Sequence, residues 1–263
     1  MFVAACGGGG GGGAITNPST PATPAAATTP VKPAIKAAAN FTVNGVIGPG
    51  SNVSSARITT YDSLGKVCGS PVFSDGKGQF SINAKCTFPI LLFADLPDGN
   101  DAGVMPEGSV GEGRKYFNFV SEITNDGQSF TANLTPATAA TTMLVMARIP
   151  SPGQANPSSI LNETRRALAN AKIQEGLTPF ATALGLSIND YFTVDASTNS
   201  QMASLFSVIQ ISFERIESTK QSLIKFNSPS EHRSLVLVAT DTKPLESAYF
   251  DSGLGVLPSE ISP

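Results

Sequence analysis

Cys68 and Cys86 are the first residues whose type and spacing suggest chemistry, standing 18 positions apart in one strand-rich segment. In an oxidising compartment a bridge between them would close the intervening turn and stabilise the fold by roughly 3 kcal/mol, because the unfolded loop loses entropy. The other reading is two separate buried thiols, and metal binding lacks further partners at ligand spacing. The single histidine, His232, sits in SPSEHRS between Glu231 and Arg233. A Ser-His-Asp site would need a serine beside it, and no G-x-S-x-G elbow occurs. Ser222 to Lys225 spells S-x-x-K, but in a strand-like segment rather than at a helix start. Asp95, Asp98, Asn100 and Asp101 carry oxygens suited to calcium, yet the EF-hand spacing is absent and these are the ordinary residues of turns. GEGRKY (111–116) contains Gly-x-Gly with no helix after it to face a phosphate. There is no Trp and only Tyr61, Tyr116, Tyr191 and Tyr249 among the tyrosines, which argues against a carbohydrate-stacking platform. No catalytic constellation, metal or cofactor is expected.

The elements that would position such groups fall into two blocks. From Phe41 the chain shows short alternating apolar runs separated by Gly, Asp and Asn: FTVNGVIG, ARITTY, the predicted hairpin PVFSDGKGQFSI, FPILLFADL, KYFNFVSEI and QSFTANLTP. Six or seven such strands at regular spacing predict an antiparallel β-sandwich over 40–135. After Pro136 the pattern changes. PATAATTMLVMARI (136–149) suits a buried helix. Asn156 and Pro157 read as the start of a second helix that Gly176 stops, Thr178 and Pro179 as the start of a short third that Gly185 ends, and TNSQMASLFSVI as a further helix. IQISFERIE, SLIKFN and SLVLVAT return to period two and read as strands. The expected fold class is α+β, with a mixed, mainly helical C-terminal region over 136–263.

Charged residues are only 14% of the chain and the net charge is −3. Without a basic face the chain is not expected to bind nucleic acid. No apolar run reaches the roughly 18 residues of a membrane-spanning helix. Residues 1–39 differ from the rest: seven glycines follow Cys6, and then comes STPATPAAATTPVKPAIKAAA. Glycine gives flexibility and spaced prolines favour extended chain, so the segment reads as a disordered tether.

Val3-Ala4-Ala5-Cys6 resembles the lipobox of bacterial lipoproteins, in which the cysteine receives diacylglycerol. The resemblance implies a lipid anchor at Cys6, a membrane as partner, and a true start upstream of Met1 that supplies the basic and apolar parts of an export signal. Gly7, rather than Asp, after that cysteine resembles lipoproteins sorted to the outer membrane. Gly45-Val46-Ile47, Ala56-Arg57-Ile58, Asp62 to Gly65 and Asp75-Gly76-Lys77-Gly78-Gln79-Phe80 together resemble the carboxypeptidase-regulatory-like (transthyretin-like, Ig-like) sandwich over about residues 40–100. That resemblance implies fold and extracytoplasmic placement and carries no catalytic residues. The expected function is a non-enzymatic, lipid-anchored surface or periplasmic binding or assembly module, whose edge strands offer a site for a protein partner or a neighbouring copy. The alternative is a periplasmic or secreted hydrolase with its site near His232.

Overall fold

Asp62 and Asp75 each build the same small turn. The Asp62 Oδ1 accepts from the N–H groups of Leu64 (2.9 Å) and Lys66 (2.8 Å), and Gly65 takes a φ of +78°. The Asp75 Oδ1 accepts from Lys77 and Gln79 (both 2.8 Å), and Gly78 takes a φ of +76°. A short acceptor followed by a residue without a Cβ closes each turn locally.

These turns belong to a computed structural model that describes residues 37–48, 53–96, 105–106, 115–195, 198–216, 218, 221–228, 233–240 and 246–251. All of them lie in one unit, Ile35–Pro263. Among the described residues the fold is an α+β mix of mainly antiparallel sheets and three helices, and none of the sheets closes on itself.

The first strands are β1 (Ala39–Val46), β2 (Arg57–Tyr61), β3 (Val72–Phe73), β4 (Gln79–Cys86), β5 (Ile90–Asp95), β6 (Met105–Pro106), β7 (Lys115–Val120) and β8 (Gln128–Thr131). One sheet has the order β4-β1-β8 and a second the order β3-β2-β5-β7. In β1, Phe41 and Val43 point into the core while Asn40 and Asn44 face out, as the alternation requires. The predicted hairpin at 72–82 is not formed. The Asp75 turn is tight, but β3 pairs with β2 and β4 pairs with β1, so the chain crosses from one sheet to the other. The expectation of wholly antiparallel pairing also fails, because β8 runs parallel to β1, with Asn44 opposite Thr131. Gly45 permits this close approach: a Cβ there would lie 2.4 Å from the Ala132 carbonyl oxygen and 2.6 Å from the Phe80 ring.

Next come α1 (Pro136–Met146), α2 (Glu163–Ala183) and α3 (Ser200–Val208). Every residue of α1 is buried, and Thr135 and Thr138 close its N-terminus as a capping box. Because α1 packs on β7, the alternation of β7 has no solvent face, and Tyr116 to Phe119 are buried on both sides.

The second helix differs from its expected bounds. Asn162, not Asn156, caps it, accepting from Arg165 N–H at 3.0 Å. Asn156 is instead buried in the α1–α2 loop, where its N–H donates to the Ser63 carbonyl at 2.7 Å. Nor does the helix break at Gly176 or restart at Thr178. Gly176 is buried among Ile173, Leu177 and Phe180, and α2 carries Pro179 within it. Burial of that apolar stripe outweighs the missing Pro179 donor. The helix does end at Gly185 as expected: with φ +69° there, Gly185 N–H donates to Thr182 O (3.0 Å) and Leu186 N–H to Ala181 O (2.8 Å). The guanidinium of Arg166 lies 4.1 Å over the Phe119 ring and pins α2 to β7.

The last strands are β9 (Gln210–Ile216), β10 (Gln221–Ser228), β11 (Arg233–Thr240) and β12 (Glu246–Asp251), which form a meander with β6 parallel to β9 at its edge. The three period-two segments are strands, as read. Ile224, Phe226 and Leu237 join a core cluster that begins at Phe41 and includes α1, so sheets and helices share one apolar interior.

Candidate functional site

The outer face of the β4-β1-β8 sheet carries an open cleft of about 530 Å³ whose described lining mixes polar side chains with the apolar Val46, Phe73 and Phe80. Strand alternation supplies its floor: Asn44 from β1, Gln79 and Ser81 from β4 and Thr131 from β8 all point away from the core. Two walls flank it. One holds Phe73, the last residue of β3, and Asp75 from the crossing that follows, and the other holds Thr193 and Asp195 from the segment after α2.

Asn133 fixes the second wall. Its Oδ1 accepts from Val46 N–H at 3.2 Å, and its amide donates to the carbonyls of Thr193 (3.0 Å) and Val194 (3.2 Å). Its own carbonyl accepts from the buried Asn118 amide at 2.7 Å. Within the wall, Asp190 gathers the Phe192 and Thr193 N–H groups at 2.7 and 3.1 Å and the Thr193 hydroxyl. Burial pulls the Asp190 carboxyl up, but these hydrogen bonds together outweigh it and hold the group below the usual carboxylate range.

Acid is therefore expected to loosen this wall. A carboxyl depressed in the folded state contributes its full stabilisation above its unfolded value, about pH 4, and loses it as the pH falls through the lower folded value. Thermal melts of Asp190→Asn should depend less steeply on pH than wild type between about pH 4 and pH 2. Equal slopes would show that Asp190 contributes nothing there.

The cleft floor engages few of its own polar groups. Asn44 donates to the Ser129 hydroxyl at 3.1 Å. The side chains of Gln79, Ser81 and Thr131 make no hydrogen bond to the protein among the described residues, and all three are exposed. Asp75 spends Oδ1 on its turn and leaves Oδ2. Phe73 is 65% exposed at the rim, the most exposed large apolar side chain among the described residues.

Cys68 and Cys86 are joined in a disulfide with Cα atoms 5.6 Å apart. Since 72–82 is no hairpin, the bond ties the segment beside β2 to the end of β4, across the two sheets. Cys6, His232, Asp98, Asn100 and Asp101 lie outside the described residues. Asp95, at the end of β5, pairs with Lys115 at 3.9 Å. Ser222 is buried in β10 and donates from its hydroxyl to the Ala147 carbonyl that closes α1. Lys225 is three places along the same strand and so on its other face, which removes the S-x-x-K reading. Tyr116 and Tyr191 are fully buried, and Tyr61 packs edge-on to Phe93. Among the described residues, no three His, Cys, Asp or Glu side chains gather as a metal site, and no helix is long and apolar enough to cross a membrane.

No protein-family model matches the chain, and no curated protein matches it.

The cleft is not among the expectations drawn from the sequence. Its one available signal was the outward-facing Asn44, Gln79 and Ser81, which alternation assigns to one face once β1 and β4 are known to pair.

Proposed function

We propose that this chain is a tethered, extracytoplasmic binding module. Cys6 carries a lipid, the stretch between Cys6 and β1 serves as the tether, and the β4-β1-β8 and β3-β2-β5-β7 sheets act as an Ig-like, transthyretin-like sandwich that presents the cleft. The observation that carries this reading is the Cys68–Cys86 bond, because such bonds persist in oxidising compartments and are rare where glutathione keeps thiols reduced. The paired Asp-x-x-Gly turns support the carboxypeptidase-regulatory-like resemblance, since both glycines occupy positive-φ positions. The exposed β3 edge, only two residues long, offers a further contact for a protein partner or a second copy.

The test is fractionation of the native protein beside Cys6→Ser, with the mass of the N-terminal peptide. Wild type should follow the membranes and carry a diacylglyceryl mass on Cys6, while the variant should become soluble. Equal partitioning of both, or free thiols at Cys68 and Cys86 in native material, would overturn the reading.

A further inference from the structure

We propose that the open edge of β4 is a self-association site, at which two copies of this chain pair β4 with β4, antiparallel and centred on Asn83. This rests on reading the chain as a binding module that offers a sheet edge to a second copy; it adds a second edge and names its occupant.

The backbone of β1 turns its odd-numbered residues toward β4 and its even-numbered ones toward β8. Ile47 N–H donates to the Gly78 carbonyl (2.8 Å), and Ala132 N–H donates to the Asn44 carbonyl (2.9 Å). In the antiparallel register, with Val43 opposite Ile82, the backbone groups of Phe80, Ile82 and Ala84 therefore face β1. Those of Gln79, Ser81, Asn83 and Lys85 face away from the sheet. Gln79 is closed by its turn, since its carbonyl accepts from Asp75 N–H (2.9 Å) and its N–H donates to Asp75 Oδ1 (2.8 Å). The Cys68–Cys86 bond holds the other end of the strand. Between these clamps the N–H and carbonyl groups of Ser81, Asn83 and Lys85 have no partner among the described residues, and all three residues are exposed.

Proteins blunt such edges with short strands, charges, proline or bulges. At 8 residues β4 is the longest edge strand among the described residues, without proline or bulge, and Lys85 is its one charge. Gly69 of the β2–β3 loop keeps the edge clear. A Cβ there would lie 2.8 Å from the Ala84 Cβ and 3.5 Å from the Asn83 carbonyl oxygen.

The edge fits itself. Setting Asn83 against the partner's Asn83 brings Ser81 opposite the partner's Lys85, and each such pair exchanges both N–H···O bonds. A register shifted by two residues sets an open residue against Gln79 or Thr87, whose carbonyls are already taken by Asp75 and Ser63. Charge favours the same register. Lys85 makes no ion pair among the described residues, although, after the hydrogen bonds from Asn40, its charge helps to hold the Asp126 carboxyl below its usual range. In the pair, the partner's Lys85 stands one diagonal step from Gln79 and reaches toward Asp75, whose turn uses only Oδ1. The two lysines lie roughly 13 Å apart along the strands, beyond the screening length of about 8 Å.

The test is sedimentation velocity and cysteine cross-linking of the full chain carrying Cys6→Ser, with Cys68 and Cys86 kept. The protein should dimerise weakly, with a Kd between roughly 10 μM and 1 mM. Under mild oxidation Asn83→Cys should give a covalent dimer, because such pairs bring their Cα atoms to about 5.5 Å, within disulfide reach. Ser81→Cys, roughly 13 Å from its counterpart, should not. Ser81→Pro removes an edge donor from both copies and no bond to β1, so it should weaken association roughly tenfold or more, with unchanged far-ultraviolet circular dichroism. Phe73→Ala at the β3 edge should leave association unchanged. If Ser81→Pro fails to fold, the cross-linking pair decides alone. The proposal is overturned if the protein stays monomeric to about 1 mM, if both cysteine variants cross-link equally, if folded Ser81→Pro associates as before, or if Phe73→Ala dissolves the dimer. Fractionation of wild type beside Cys6→Ser decides the anchor independently, so the two readings can fail separately.

Discussion

Phe93→Ala is expected to destabilise the protein by about 3–5 kcal/mol. Phe93 lies at the centre of β5 with 2% of its surface exposed, and its ring meets Tyr61 at 5.2 Å and Phe117 at 5.3 Å, both edge to face. Truncation removes the transfer energy of the ring, leaves a cavity between β2 and β7, and breaks both aromatic contacts. In a chain of this size each kcal/mol lowers Tm by about 2–4 °C, so a fall of roughly 6–20 °C is expected. Urea denaturation should show a lower midpoint with an unchanged slope. Phe93→Leu refills most of the space and should lose less than about 1.5 kcal/mol. A loss that small for Phe93→Ala would mean that this aromatic row is not the centre of the core.

The second large effect concerns the disulfide. Replacing both Cys68 and Cys86 with Ala should remove about 3 kcal/mol, the chain-entropy value for a closed loop of this length, over a separation of 18 residues. Reducing the wild-type protein should lower its melting temperature by a similar amount, while reductant should leave the double variant unmoved. The cross-link acts chiefly on the unfolded chain. The native cleft should therefore persist in the variant at temperatures where it is still folded. No difference between oxidised and reduced wild type would remove the support that the bond lends to the extracytoplasmic reading.

What could be read from the sequence was whatever closes over a few residues. The Asp62 and Asp75 turns are self-contained, since one carboxylate and one positive-φ glycine complete each of them. The buried α1, the stop at Gly185 and the period-two strands β9 to β11 were legible for the same reason, whereas β12 was not. Pairing was not. Val72 and Phe73 satisfy the local pattern of a hairpin arm, yet β2 competes for them and wins. Asn156-Pro157 has the form of a helix start, but the turn at Ser63 takes its donor. Gly176 and Pro179 look like stops, and only packing against the core carries the helix through them. The cleft belongs to the same class, because Asn133 builds it by reaching residues 60 and 61 positions further along.

The parallel pairing of β8 with β1 also sets an order in time. Asn44 meets Ser81 on one side and Thr131 on the other, so the second partner is synthesised 87 residues after Asn44 itself. Until Gln128–Thr131 has been delivered, whether by a ribosome or through a translocation pore, one flank of β1 stands open. Long-range closure of this kind is slow, and an open flank can be taken by another nascent chain. The last strand to arrive is thus the latch of the first sheet, and a chain cut short before Gln128 should be retained as an aggregation-prone intermediate rather than as a smaller folded domain.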